Sequence, residues 1–359
     1  MQEGAGLGKI LSIQKGGKNV GSVKDLKVLS SPLDTSMGKG KFIFSDRYSV
    51  FDWGEMPDLI PQKGAALALI GAYFFELLEK EGFPTHYLGL EENGEAKKLD
   101  ELTHSSSVMM VKLVRVILPP EREGIYDYGV YQGVQGNFLI PFEFIYRNSL
   151  PVNSSLRRRL EEGKVSLEEL GLSRIPSSEE NLPQPIIDVS TKLEEQDRYI
   201  TWKEVLKTGI LNEAEIASIK EWMREIDQCI SREVGKIGLK NEDGKVELAF
   251  TPERELMVVD VVGTPDECRF TFQNYQMSKE IVREFYRKTK WYEEVKRAKE
   301  KSQIGWKGLV KEEPPRLPPQ FLQLVSWLYQ RIAIDLTERE WFTGVPSLSR
   351  IFQELSYFL

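Results

Sequence analysis

Asp243, Lys245 and Glu247 stand at alternate positions in the run from Asp243 to Phe250. In an extended strand alternate side chains share a face, so one lysine is set between two carboxylates. A second apolar run, Leu256 to Val262, is interrupted only by Asp260. Thr251-Pro252 and the charged residues after it fit a hairpin connection, which predicts that Glu247 and Asp260 come close together. Carboxylate oxygens suit a hard cation such as Mg2+, and an ammonium beside them neutralises phosphate charge. That is the equipment of a magnesium-nucleotide site. A hairpin with one solvated face would show the same alternation.

Four further segments place polar groups in apolar surroundings. Asp46 and Arg47 follow the strand-like Phe42-Ile-Phe44, where an Asp-Arg step also suits a plain ion pair. Lys63-Gly64 opens a helical pattern, and a cation beside free helix N–H groups suits an anion. Arg147 closes the apolar run from Ile140, and Ser154-Ser155 begin the next helical segment, a combination suited to a phosphate monoester. Val189 to Asp197 is a polar loop carrying Lys192, Glu194 and Glu195. By contrast, Gly16 to Ser22 is no Walker motif, because Ser22 stands where lysine belongs and no helical pattern follows.

The elements that must hold these groups are mixed. Lys27–Leu29, Lys41–Phe44, Val108–Leu118 and Ile140–Tyr146 read as strands, and Pro119 to Gly136 as a loop or inserted hairpin. Leu67, Ile70, Phe74, Leu77 and Leu78 recur at helical spacing within Gly64–Lys80. Ser155–Glu162 and Ser166–Leu172 are short helical segments, and Ser177–Pro185 is a loop. Ile216, Ile219, Met223, Ile226 and Ile230 form one stripe of a long helix over Asn212–Val234. A charged helix is predicted over Ser278–Lys301, then a stiff connector Pro314–Pro319 and a helix over Gln320–Leu336 with an aromatic tail. Strands and helices without a regular βαβ rhythm point to an α+β fold.

The chain has 359 residues, longer than a usual single domain, with 41% hydrophobic and 29% charged residues, as in an ordinary soluble protein. Its net charge of −7 argues against a broad nucleic-acid or anionic-membrane surface. Two cysteines and two histidines are too few for a disulfide framework or zinc cluster, so a reducing cytoplasm is expected. No signal-peptide pattern follows Met1, and the apolar run from Ala65 to Leu78 is broken by Gly71 and Glu76. Neither nucleic acid nor membrane is expected as a partner. The sequence leaves open whether the chain forms a homo-oligomer.

Taken in order, these segments resemble the SAICAR synthetase family, phosphoribosylaminoimidazole-succinocarboxamide synthases of purine biosynthesis. Gly21 to Asp25 is similar to the family's early Gly-Lys-Val-Arg-Asp strand, and Ser45 to Asp52 to its Ser-Asp-Arg-Ile-Ser-Ala-Phe-Asp. Pro61 to Gly64 matches Pro-x-Lys-Gly, and Pro141 to Arg147 stands where the family has Pro-Leu-Glu-Val-Val-Val-Arg. Ser190 to Glu195 reads as Ser-Thr-Lys-x-Glu-Glu, and Asp243 to Leu248 follows Asp-x-Lys-x-Glu-Phe. Thr264 to Phe270 resembles Thr-Pro-Asp-Ser-Ser-Arg-Phe, and Pro315 to Pro319 the late Pro-x-Leu-Pro-Pro. The likeness spans residues 20 to 336.

The resemblance implies a β-rich nucleotide-binding domain similar to a kinase small lobe, at 1–117, packed on a larger α+β domain at 118–279, with a C-terminal helical extension at 280–359. The implied reaction is ATP-driven condensation of the carboxylated aminoimidazole ribonucleotide (CAIR) with L-aspartate. By position, Glu247 and Asp260 would hold Mg2+, with Lys24, Lys112 and Lys245 on the ATP side. Arg147, Ser155 and Arg269 would cradle the ribotide phosphate, and Asp46, Arg47, Lys192 and Asp197 would line the region of the reacting carboxylate and amine. The chain departs from the pattern at Ser22 in place of lysine, at Ser154-Ser155 with one extra loop residue, at Val261 in place of glutamate, and at Gln196-Asp197 in place of His-Asp. Leu118–Leu139 and Lys296–Lys311 read as insertions. A paralogue ligating another carboxylate and a non-catalytic nucleotide-binding protein are the alternatives.

Overall fold

The computed structural model describes residues 19–20, 23–152, 154–178, 180–302 and 305–358. A first antiparallel sheet contains β1 (Asn19–Val20), β2 (Lys24–Ser30), β3 (Gly38–Phe44), β4 (Tyr87–Glu92), β5 (Glu95–Lys97) and β6 (Val108–Leu113), in the order β1-β2-β3-β6-β4-β5. Between β3 and β4 the chain forms α1 (Lys63–Lys80). A small hairpin, β7 (Glu121–Arg122) and β8 (Ile125–Tyr126), leads to the second sheet. That sheet holds β9 (Phe138–Ser149), β10 (Asn181–Thr191), β11 (Tyr199–Ile200), β12 (Lys240–Phe250), β13 (Leu256–Val259), β14 (Cys268–Phe272) and β15 (Tyr275–Gln276). Its order is β11-β10-β9-β12-β14-β15, with β13 also paired to β12. Bridges Thr85–Val258 and Arg115–Phe138 stitch the two sheets together. The fold is α+β, as the pattern of elements indicated.

Helix α1 is apolar on nearly every side because it lies between the first sheet and α7 (Pro319–Thr337). Its start needs Gly64: a Cβ there would sit 2.7 Å from the carbonyl oxygen of Phe44. The long amphipathic helix α4 (Glu213–Lys236) begins with a reciprocal capping box between Asn212 and Glu215 and lays its isoleucine stripe on the second sheet. The remaining helices are α2 (Ser155–Glu161), α3 (Trp202–Lys207), α5 (Glu280–Arg287), α6 (Lys290–Lys301) and α8 (Leu348–Leu355).

Three local differences from the sequence expectations have physical causes. The single helix expected over 278–301 is two, because Thr289 leaves helical geometry and its hydroxyl caps α6 by accepting from the Tyr292 N–H. The loop expected over 177–185 already belongs to β10 from Asn181. Its pairing with β9 breaks between Asn181 and Ile186, where Pro183 and Pro185 have no N–H to donate. The aromatic tail contains α8, capped by Ser347. The segment from Tyr48 to Trp53 is gripped by the C-terminal helices: the hydroxyls of Tyr48 and Tyr286 meet at 2.8 Å, and Trp53 packs edge-on against Trp291.

Candidate active site

Strands β9 and β12 are neighbours at the centre of the second sheet, and their register puts Glu143 opposite Glu247. Lys245 shares that face, as the alternation predicted; its ammonium lies 3.0 Å from Glu143, 3.4 Å from Glu247 and 3.1 Å from Glu267. Lys192, one residue past β10, pairs with Glu247 and sits 3.6 Å from Glu143. Val259 pairs with Glu247 in register, so Asp260 begins one residue beyond it, as the hairpin argument required. Asp260 adopts a left-handed backbone with φ of 64°, a conformation that aspartate tolerates better than most residues. Lys24 reaches across from β2 of the first sheet to pair with Asp260. The cluster thus spans both sheets.

Its electrostatics divide the two carboxylates. Burial pushes Asp260 up, but Lys24, Lys192 and Lys245 outweigh it and hold the carboxyl well below its ordinary range. Glu247 moves the opposite way, raised by burial and by the neighbouring charge of Asp260 more than Lys192 and Lys245 can lower it. Burial opposes the charge on Lys245, yet Glu143, Glu267, Glu247 and Asp260 keep it firmly protonated. Lys192 is likewise raised against its own burial, chiefly by Glu247.

A second cluster lies toward the other end of β9 and β12. Arg147 is 1% exposed and pairs with Asp188 at 3.0 Å and Asp243 at 3.2 Å. It also donates to the Ser155 hydroxyl at 3.1 Å, which in turn donates to the Tyr199 hydroxyl at 2.7 Å. Arg269 pairs with Asp243 at 3.0 Å. Arg159 pairs with Asp188 and lies 4.0 Å over the Tyr199 ring. Sequence reasoning brought Arg147, Ser155 and Arg269 together and missed Arg159, Tyr199 and Asp188. The signal for Arg159 was its place one helical turn after Ser155. Tyr199 and Asp188 carry no such signal, since only strand pairing brings them in.

The other candidate residues are placed differently. Asp46 does not pair with Arg47. Its carboxylate accepts from the N–H groups of Gln62 at 3.2 Å and Gly64 at 3.0 Å, satisfying the start of α1. Arg47 pairs with Asp25, beside Lys24 on β2. Both residues line a cavity of about 580 Å³ together with Ser45, Glu55, Gln62 and Ser107. The anion expected near Lys63 is a buried partner, Asp266 at 2.8 Å, which also accepts from the Tyr329 hydroxyl. Asp197 is exposed on the loop that carries Lys192. Lys112 is half-buried on β6, and its side chain enters neither ion cluster among the described residues. Lys18 and Ser22 lie outside the described residues. Glu143 and Glu267, quoted within motifs but not singled out, prove central to the first cluster.

His86 supports the cluster from behind. It is 3% exposed, its ring rests against Phe42 and Phe75, and Nε2 lies 3.1 Å from the carbonyl oxygen of Asp260. Burial pushes its pKa down from 6.5 to about 4. Between those values the unfolded chain takes up a proton that the folded protein refuses, so stability falls as pH falls through that window. The loss amounts to about 3 kcal/mol by pH 4. Urea unfolding of His86→Gln should therefore show a flatter profile than the parent between pH 6.5 and 4; parallel profiles would refute the assignment.

As for metal binding, Glu247 and Asp260 offer hard oxygen donors on adjoining chain segments. Among the described residues no group of three or more His, Cys, Asp or Glu side chains is arranged to hold a metal by itself. This donor set fits Mg2+, which keeps several waters and needs only one or two protein carboxylates beside substrate phosphates. No helix among the described residues is long and apolar enough to cross a membrane.

Comparison with known proteins adds three findings. Residues 33–299 match the family model described as SAICAR synthetase. A putative phosphoribosylaminoimidazole-succinocarboxamide synthase of Archaeoglobus fulgidus is 49% identical over 94% of this chain and 98% of its own, and the synthase of Thermoplasma volcanium is 34% identical over 84% and 93%. Among solved structures, the fold is similar to a SAICAR synthase from Saccharomyces cerevisiae complexed with SAICAR, with TM-score 0.62, 19% identity and coverage of 93% and 99%. It is also similar to a SAICAR synthetase in complex with ADP, with TM-score 0.53, 21% identity and coverage of 84% and 100%.

Proposed function

The chain belongs to the SAICAR synthetase family, and from that premise we propose how its two ion clusters divide the work of the reaction. It is a carbon–nitrogen ligase that condenses CAIR with L-aspartate to give SAICAR in purine biosynthesis. A carboxylate is a poor acyl donor, because its leaving group would be oxide. In the proposed sequence a CAIR carboxylate oxygen attacks the γ-phosphorus of ATP and ADP departs. The aspartate amine then attacks the acyl carbon, phosphate leaves, and the amine gives up a proton. Most of the catalysis is alignment of anions and neutralisation of their charge.

The observation that carries this reading is the convergence of Lys24, Lys192 and Lys245 on Glu143, Glu247 and Asp260 from both sheets. Glu247 and Asp260 would hold Mg2+, which on binding supplies positive charge to the β- and γ-phosphate oxygens. Lys24 and Lys245 would face the phosphates, and Lys112, outside both clusters on β6, would contact the nucleotide separately. Lys192 stands on the reacting carboxylate and amine, with Asp46, Arg47 and Asp197 around the same region. Arg147, Ser155 and Arg269 take the ribotide phosphate, and Arg159 and Tyr199 complete that cradle. The proposal divides the chain at 117 and 279, with the nucleotide chiefly on the first part. Two free, buried cysteines support a reducing, cytoplasmic setting.

The test is ADP release by the purified protein with Mg·ATP, CAIR and L-aspartate, each omitted in turn. Release that needs all three, with SAICAR formed, is the expected result. ATP binding without release would assign the ribotide-side departures to a different carboxylate or amine.

A further inference from the structure

The segment between β6 and β9, an insertion by its sequence, belongs to neither ion cluster but touches the loop that presents Lys192. After the β7–β8 hairpin, a short 3-10 turn at Tyr128–Tyr131 seats on β9. The Tyr131 ring packs on Phe138 and its hydroxyl donates to the Ile117 carbonyl at 2.6 Å, while the Tyr128 ring packs on Phe142. From this base two hydroxyls reach the loop. Tyr128 donates to Glu194 at 2.8 Å, and Tyr126 accepts from the Glu195 N–H at 2.7 Å.

The loop itself is closed at its neck, where Thr191 N–H donates to the Arg198 carbonyl and Arg198 N–H donates to the Thr191 hydroxyl. Leu193 anchors it from within, in a small core with Leu139, Ala249, Met257 and Val259. Glu194 is only 5% exposed, and Arg198 is its other partner, at 3.2 Å. Lys192 lies between the neck and these anchors. Its own N–H donates to the Pro141 carbonyl at 3.1 Å and its ammonium reaches Glu247, so residues 193–195 hold the loop on its C-terminal side. A displacement of about 1 Å at a reacting centre is costly in rate.

We propose that Tyr126 and Tyr128 are positioning residues for the ligation, fixing Lys192 at the reacting carboxylate and amine through Glu195 and Glu194. The inference rests on the reading of Lys192 given above. It makes the insertion a buttress for the Lys192 side of the site, assigned above to the reacting carboxylate and amine, and leaves ATP binding to the other groups.

The experiment compares Tyr126→Phe, Tyr128→Phe and the double variant with Lys192→Met. Each tyrosine variant removes one oxygen and keeps the ring packing. In the double variant KM for L-aspartate should rise about tenfold, with KM for ATP within about twofold of the parent, the scale of losing two hydrogen bonds. Each single variant should give a smaller rise of the same kind. An inactive Lys192→Met beside a double variant with unchanged kinetics, or with KM for ATP and L-aspartate raised equally, would overturn the buttress. Full activity in Lys192→Met would overturn the role of Lys192 and the proposal with it.

Discussion

Glu247→Gln and Asp260→Asn should each lower kcat by about a thousandfold or more, the scale of removing a charge that acts on the transition state. The two variants should differ in stability. Glu247 is raised by burial and by the charge of Asp260, so glutamine relieves that repulsion while it takes a carboxylate from Lys192. Asp260 is held ionised by three lysines, and asparagine leaves Lys24 without its carboxylate. Asp260→Asn is therefore the less stable of the pair. Asparagine is the right probe because it tolerates the left-handed backbone at 260, where alanine would add strain. Urea unfolding beside ADP-release assays separates the two effects. ATP-dependent turnover unchanged in both variants would rule out these carboxylates as the metal-holding pair.

Arg147→Ala should damage both the fold and the ribotide site. The guanidinium is buried between Asp188 and Asp243, and removing it leaves two carboxylates facing a cavity. Breaking a buried pair costs about 3–5 kcal/mol; Arg159 on Asp188 and Arg269 on Asp243 place this case toward the lower end. Under conditions where the variant remains folded, KM for CAIR should rise about a hundredfold and KM for ATP by less than about threefold. Arg147→Lys restores the charge but not the planar fork, so it should recover more stability than affinity. Equal increases in both KM values would show that Arg147 does not discriminate the ribotide from the nucleotide.

Much of this was legible from local order. Alternation alone set Lys245 and Glu247 on one face, and the hairpin signal carried Asp260 to them. Motif order then tied the separate runs into one family reading, and periodicity marked α1 and α4. What escaped was contact between segments distant in sequence. Asp46 looked like half of an ion pair with its neighbour Arg47, but it caps α1 eighteen residues on. Lys63 looked available to an anion from solution, but Asp266, two hundred residues later, has taken it. Tyr126 and Tyr128 looked like ordinary residues of an insertion.

The sequence by itself determined which groups can do chemistry and which faces they occupy, because side-chain alternation and helical spacing follow from backbone geometry. Only the tertiary structure decided which charge meets which. Pairing Lys24 with Asp260, or Lys192 with Glu247, depends on two sheets and a loop closing on one another, and no local rule fixes that closure.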